Sequence, residues 1–103
     1  MSFIREVGKD NLKALLDVGH AHRCGIAADA FIRDVGTELA HVHLKDTDGS
    51  CDFHLNLGEG VIDFAAVFAA LCGIEYCGVM LIESAYKNVE ELLKNYAVMQ
   101  DCL

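Results

Sequence analysis

Six candidate metal ligands, Asp17, His20, His43, Asp52, His54 and Glu83, are spaced in short motifs along the chain. Asp17-Val18-Gly19-His20 sets a carboxylate three residues before an imidazole, and the glycine permits a turn tight enough to bring both over one surface. A strand-end aspartate is also a common helix or turn cap, so this pair has two readings. His41-Val42-His43 puts two imidazoles on one face of a strand. His43, nearer the C-terminal end, is the ligand candidate, while His41 lies one layer deeper and reads as a core histidine or one that orients its neighbour. Asp52-Phe53-His54 supplies a further carboxylate and imidazole two residues apart, which extended backbone aims the same way, leaving Phe53 as an inward anchor. Glu83 closes the apolar run Val79-Met80-Leu81-Ile82, where a carboxylate is costly unless it is paired or bound to a cation. Mixed carboxylate and imidazole donors suit Mn²⁺, Zn²⁺, Mg²⁺ or Fe²⁺, and spacing does not choose among them.

The elements that must position these groups follow from apolar periodicity, which divides the chain into three similar units. Strands are expected at about 12–18, 39–44 and 78–83, and helices at about 26–35, 62–72 and 89–102. Residues 3–8 read as the end of a preceding helix. Apolar stripes are expected at Ala27, Ala30, Phe31 and Val35, at Phe64, Val67, Phe68 and Leu71, and at Val89, Leu92, Leu93 and Tyr96. Asn88 with Glu91 suits a helix N-terminus, and Gly36 and Gly73 stand where helices should end.

Strand followed by helix, three times, implies a parallel sheet. One face of each strand is apolar; the other ends in Asp17, His43 or Glu83, so three adjacent strand ends would converge on one point. An open doubly wound sheet wants apolar residues on both faces, which favours a barrel wall. Lys45 and Asp46 follow at the mouth, placed either to bind substrate or to be solvated. Gly58-Glu59-Gly60 suits a sharp reversal before the next helix, with Glu59 solvated.

Composition narrows the function classes. With 53% hydrophobic residues among 103, the chain is expected to form one domain, residues 1–103, with a modest core. No apolar run reaches the roughly 18–20 residues needed to cross a bilayer, and Met1–Glu6 lacks the layout of a secretory signal. A cytoplasmic location is expected. The five cysteines (24, 51, 72, 77 and 102) are odd in number and contain no C-x-x-C pair, which argues against a disulfide framework or a thiolate zinc site. Cys51, beside Asp52, is a minor metal-ligand candidate. A net charge of −8 with no basic stripe argues against nucleic acid.

The segments L-L-D-V-G-H-A-H, H-V-H-L-K-D, D-F-H-L-N-L-G-E-G-V-I-D-F and V-M-L-I-E-S resemble, in order and spacing, the last three strand-loop segments of the xylose-isomerase-like TIM-barrel superfamily. That superfamily includes sugar and sugar phosphate isomerases and epimerases and the endonuclease IV group, also called AP endonuclease family 2. The resemblance covers about residues 8–103 and implies a partial (β/α)8 barrel, an α/β fold whose three parallel units correspond to strands six to eight. It implies that Asp17, His43 and Glu83 are the main metal ligands, with a fourth, a glutamate on strand five, not in this sequence. His20, Asp52 and His54 match a further ligand trio of the endonuclease branch, whereas in the epimerase branch the position of His20 binds substrate hydroxyls. The loop 44–60 has no arginine, so Lys45 is the candidate to replace a sugar-contacting arginine.

The implied chemistry is proton transfer beside a carbonyl, with Glu83 as ligand and base and His20 placing the substrate, a sugar or sugar phosphate. If the chain acts alone, the acid/base partner, from strand five, is missing. Two alternatives remain: a metal-dependent phosphodiesterase acting on abasic DNA, and a non-catalytic metal-binding or oligomerising remnant. Three strands leave two edges and one face uncovered, so a homo-oligomer, or a partner supplying the missing strands, is expected.

Overall fold

Largely apolar segments of four to six residues form the strands, each with a carboxylate or imidazole at or next to its C-terminal end. A computed structural model describes residues 2–49 and 55–102. Helix α1 (Ser2–Val7) leads into strand β1 (Ala14–Asp17), helices α2 (Val18–Arg23) and α3 (Ala28–Val35), and a single 3₁₀ turn. Strand β2 (Leu39–Leu44), helix α4 (Phe64–Gly73), strand β3 (Val79–Ile82) and helix α5 (Val89–Cys102) complete the order. The three strands form one parallel sheet in the order β1-β2-β3. This is the expected α/β architecture, three consecutive units of a barrel wall.

Register decides the function of each face. Leu15, His41 and Val79 share one level, and Asp17, His43 and Leu81 the next. On the helix side Leu16, Val42 and Leu44 are buried against Ile32, Val35, Val67, Phe68 and Leu71. Burial of this kind contributes roughly 1.5–3 kcal/mol per large side chain, so this layer holds the units together. The other face is uncovered: Leu15, Val79 and Leu81 are 54%, 59% and 48% exposed. In a closed barrel that face would look inward.

Three local expectations are corrected. The strand expected to run to Val18 stops at Asp17, and Val18 instead begins α2, a six-residue helix between the first strand and its expected helix. Its buried Val18, Gly19 and Ala21 hold it against the sheet. In α3 the packed stripe is Ala28, Phe31, Ile32 and Val35, while Ala27 and Ala30 are exposed. In α5 the inner face is Leu92, Asn95, Val98 and Met99; Val89, Leu93 and Tyr96 are exposed. Among the residues of α5 whose burial is described, the fully buried one is the polar Asn95, which a search for apolar stripes passes over. The α4 stripe is buried as expected. Gly36 ends α3 with φ 56°, whereas α4 continues through Gly73 and turns at Glu75, φ 55°.

Asp46 organises the long connection from β2 to α4. Its carboxylate accepts backbone N–H groups from Thr47, Gly58, Gly60 and Ile62 at 2.8–3.2 Å. A two-way backbone bridge to Leu55 and a bond from Val61 N–H to Thr47 O at 2.8 Å draw the two arms together. Asp46 is therefore buried and structural, and the solvated reading of it fails.

Candidate metal centre

Asp17 serves the fold and the site with different oxygens. Its Oδ1 accepts the His20 N–H at 2.9 Å, capping α2, so the cap reading of this residue holds. Its Oδ2 faces His43 Nδ1 at 3.9 Å, and His43 Nδ1 lies 3.4 Å from Glu83 Oε2. Asp17, His43 and Glu83 each bring one donor atom within 4.8 Å of the others, and among the described residues this is the one such group of three or more. Register explains the convergence. Asp17 and His43 are paired positions on neighbouring strands, and Glu83 follows β3 with its N–H bonded to Leu44 O at 2.8 Å.

The donor set fits a divalent ion. Ligands about 2.0–2.2 Å from a tetrahedral metal stand about 3.4 Å apart, close to the spacing here. The side chains of Asp17, His43 and Glu83 are 13%, 24% and 41% exposed, so the group opens toward solvent on the Glu83 side. Glu83 Oε2 itself is shielded from water. His41 sets its ring edge-on to that of His43, centroids 4.8 Å apart, which fits the expected orienting role.

Among the described residues Lys45 is the largest fully buried side chain, 1% exposed. Its Nζ lies 3.1 Å from Asp17 Oδ2 and 3.5 Å from Glu83 Oε2. Its stem runs against Gly19, where a Cβ would come within 2.9 Å of Lys45 Cγ. Gly19 is thus required less for a turn than for the lysine that passes it. The solvated reading of Lys45 fails, and sequence alone had no signal for its inward path.

His20 sits on the exposed surface of α2 with Nε2 4.0 Å from Asp17 Oδ2, at the rim of the group. Cys51, Asp52, Phe53 and His54 lie outside the described residues, so the expected His20-Asp52-His54 trio and the Phe53 anchor are not placed. Asn95, missed by sequence reading, ties the surroundings together. Its Oδ1 accepts the Leu57 N–H at 2.6 Å, and its Nδ2 donates to Asn56 Oδ1 and Ser84 Oγ at 2.9 and 3.1 Å. The residue after Glu83 and the loop after Asp46 are thereby fastened to α5.

Known proteins resemble this chain in sequence and fold. The family model of the xylose isomerase-like TIM barrel matches residues 1–102. An L-ribulose 3-epimerase of Mesorhizobium japonicum is 29% identical over 103 residues, 98% of this chain and 33% of that protein. A solved L-ribulose 3-epimerase superposes with a TM-score of 0.71 at 32% identity, over 93% of this chain and 31% of the other. The IOLI protein, solved with a bound zinc atom, gives a TM-score of 0.79 over 99% of this chain and 42% of its own, and at 23% identity shows likeness of fold. The chain spans about a third of the length of the curated relatives it matches. No described helix is long and apolar enough to cross a membrane. With the family model matching nearly every residue, the chain belongs to the xylose isomerase-like TIM barrel family.

Proposed function

We propose that this chain carries the metal-binding part of a divalent-metal-dependent epimerase or isomerase acting on a sugar or sugar phosphate. The observation that carries the proposal is the convergence of Asp17, His43 and Glu83 at the ends of three adjacent parallel strands. The sugar epimerases among its relatives support the substrate class.

Asp17 Oδ2, His43 Nδ1 and Glu83 Oε2 would hold the ion. When bound, it supplies Lewis-acid polarisation of a carbonyl or hydroxyl oxygen. Glu83, the most open of the three, is placed to take the proton from the carbon beside that carbonyl, the C–H electron pair passing to the carbonyl oxygen. His20, exposed at the rim, is placed to hold a substrate hydroxyl. Epimerisation also needs an acid that returns the proton from the opposite side. The resemblance assigns that acid to a strand-five glutamate, so full turnover belongs to an assembly in which other strands complete the barrel. Lys45, a substrate candidate by sequence, faces the ligand carboxylates instead, and its contribution is to their charge.

Isothermal titration with Mn²⁺ and Zn²⁺ tests the site. Binding is expected, and Asp17→Ala or His43→Ala should weaken it on the order of 100-fold, since even residues that only support ligands matter 10–100-fold. No binding, or binding indifferent to both substitutions, would exclude the proposal. Binding without turnover on ketoses and aldoses would mark the chain as a metal-holding piece without activity of its own.

A further inference from the structure

Resting on that reading, we infer that Lys45 is a built-in cation that competes with the divalent metal for Asp17 and Glu83. The same two oxygens serve both. Asp17 Oδ2 and Glu83 Oε2 are the atoms His43 Nδ1 faces across the triad, and they are also the atoms that Lys45 Nζ approaches at 3.1 and 3.5 Å. Asp17 Oδ1 is already engaged by the His20 N–H in the α2 cap, which leaves Oδ2 as the oxygen turned to the triad. A metal at this site therefore binds a carboxylate oxygen already in contact with an ammonium group.

Lys45 cannot easily withdraw. It is 1% exposed, and its stem is pressed against Gly19, where even a methyl group would collide with it. A lysine normally extends its ammonium into water, and burying one is costly unless carboxylates receive it. Here two do. Without metal the lysine keeps two neighbouring carboxylates from repelling each other. With metal bound, a divalent and a monovalent cation share one cluster, and like charges at that range oppose binding.

The consequence is a site tuned for weak, exchangeable metal and for a stable metal-free fold. With the ion in place the two carboxylates, the lysine and the metal carry a net charge of about +1 rather than zero, which favours negative charge developing on a bound oxygen.

The test compares the full chain with Lys45→Met and Lys45→Arg, reading Mn²⁺ affinity by competition with a metallochromic indicator and Tm with and without Mn²⁺. Lys45→Met should bind Mn²⁺ at least tenfold more tightly, melt below the parent when metal-free, and gain more in Tm when metal is added. Lys45→Arg, which keeps the charge, should bind no more tightly than the parent. If Lys45→Met is too unstable to titrate, Lys45→Gln carries the same expectation. A parent that binds metal while the uncharged variants bind no more tightly overturns the inference and leaves the metal site standing. Binding by the uncharged variants but not by the parent would support the competition while excluding the metal-dependent function proposed for the unsubstituted chain. Absence of binding in every variant removes the metal site and the inference together.

Discussion

Asp46 shows how much one buried carboxylate can decide. It accepts four backbone N–H groups from both ends of the β2–α4 connection, and Gly60 leaves the room for this, since a Cβ there would overlap Thr47 O and Asp46 Oδ1. Hydrogen bonds to a charged acceptor are among the stronger ones, and losing it strands several buried donors. Asp46→Ala should therefore lower stability by about 3–5 kcal/mol in chemical denaturation. Asp46→Asn, which keeps an acceptor, should lose less. Equal loss in both would mean that charge, not acceptor geometry, holds the loop; no loss in either would contradict the role. None of this was legible in the sequence, where Asp46 looked like a substrate-binding or solvated neighbour of Lys45. Three of its four partners lie 12–16 residues away in the chain, and no local spacing encodes them. The ligands were legible for the opposite reason. Asp17, His43 and Glu83 each lie at or next to the C-terminal end of a strand, and strand alternation fixes the face on which a side chain must lie.

At the scale of elements, the start of α5 depends on charge. Asn88 Oδ1 accepts the Glu91 N–H at 2.9 Å, as expected from the sequence, and Glu91 Oε2 accepts the Lys87 N–H at 2.8 Å. That backbone donor holds the Glu91 carboxyl below its ordinary range against the opposing effect of desolvation, and the Asn56 amide adds to it. A carboxyl depressed in the folded state lends stability above its unfolded pKa, and that stability is lost as pH falls through the folded value. Glu91→Gln should thus melt below the parent at pH 7, and the gap should close on acidification through the lower carboxylate range. Thermal melts of both proteins between pH 7 and pH 2 check it; a gap independent of pH would assign the effect to side-chain geometry rather than charge. The elements themselves were read well where periodicity was strong: β2 spans 39–44 and α5 89–102, as expected. The sequence reading missed α2 because six residues holding a glycine and two histidines have no apolar period. Its one signal was Asp17, whose cap bond to His20 N–H is the contact that starts the helix. The α5 stripe was misjudged because its buried position is Asn95, held by polar partners rather than by apolar area.

At the scale of the whole molecule, the sheet is unfinished. Among the described residues β1 and β3 each pair on one side only, and the face between them exposes Leu15, Val79 and Leu81. Val89, Leu93 and Tyr96 add an exposed apolar flank on α5. Unpaired strand edges beside apolar surface favour association. Two copies supply six strands and three supply nine, so self-association cannot reproduce an eight-stranded barrel; a partner with five further units could. We predict that the chain alone forms an oligomer through this face. Light scattering at tens of micromolar should give at least twice the monomer mass. Val79→Lys places an ammonium on the open face one level below His43, on a side chain already exposed and outside the ligand group. It should return the protein to a monomer with little change in Tm. A parent that scatters as a monomer would show that the open face tolerates water unaided. A Val79→Lys protein that stays associated would shift the interface to the α5 flank, where Leu93→Lys is the corresponding test.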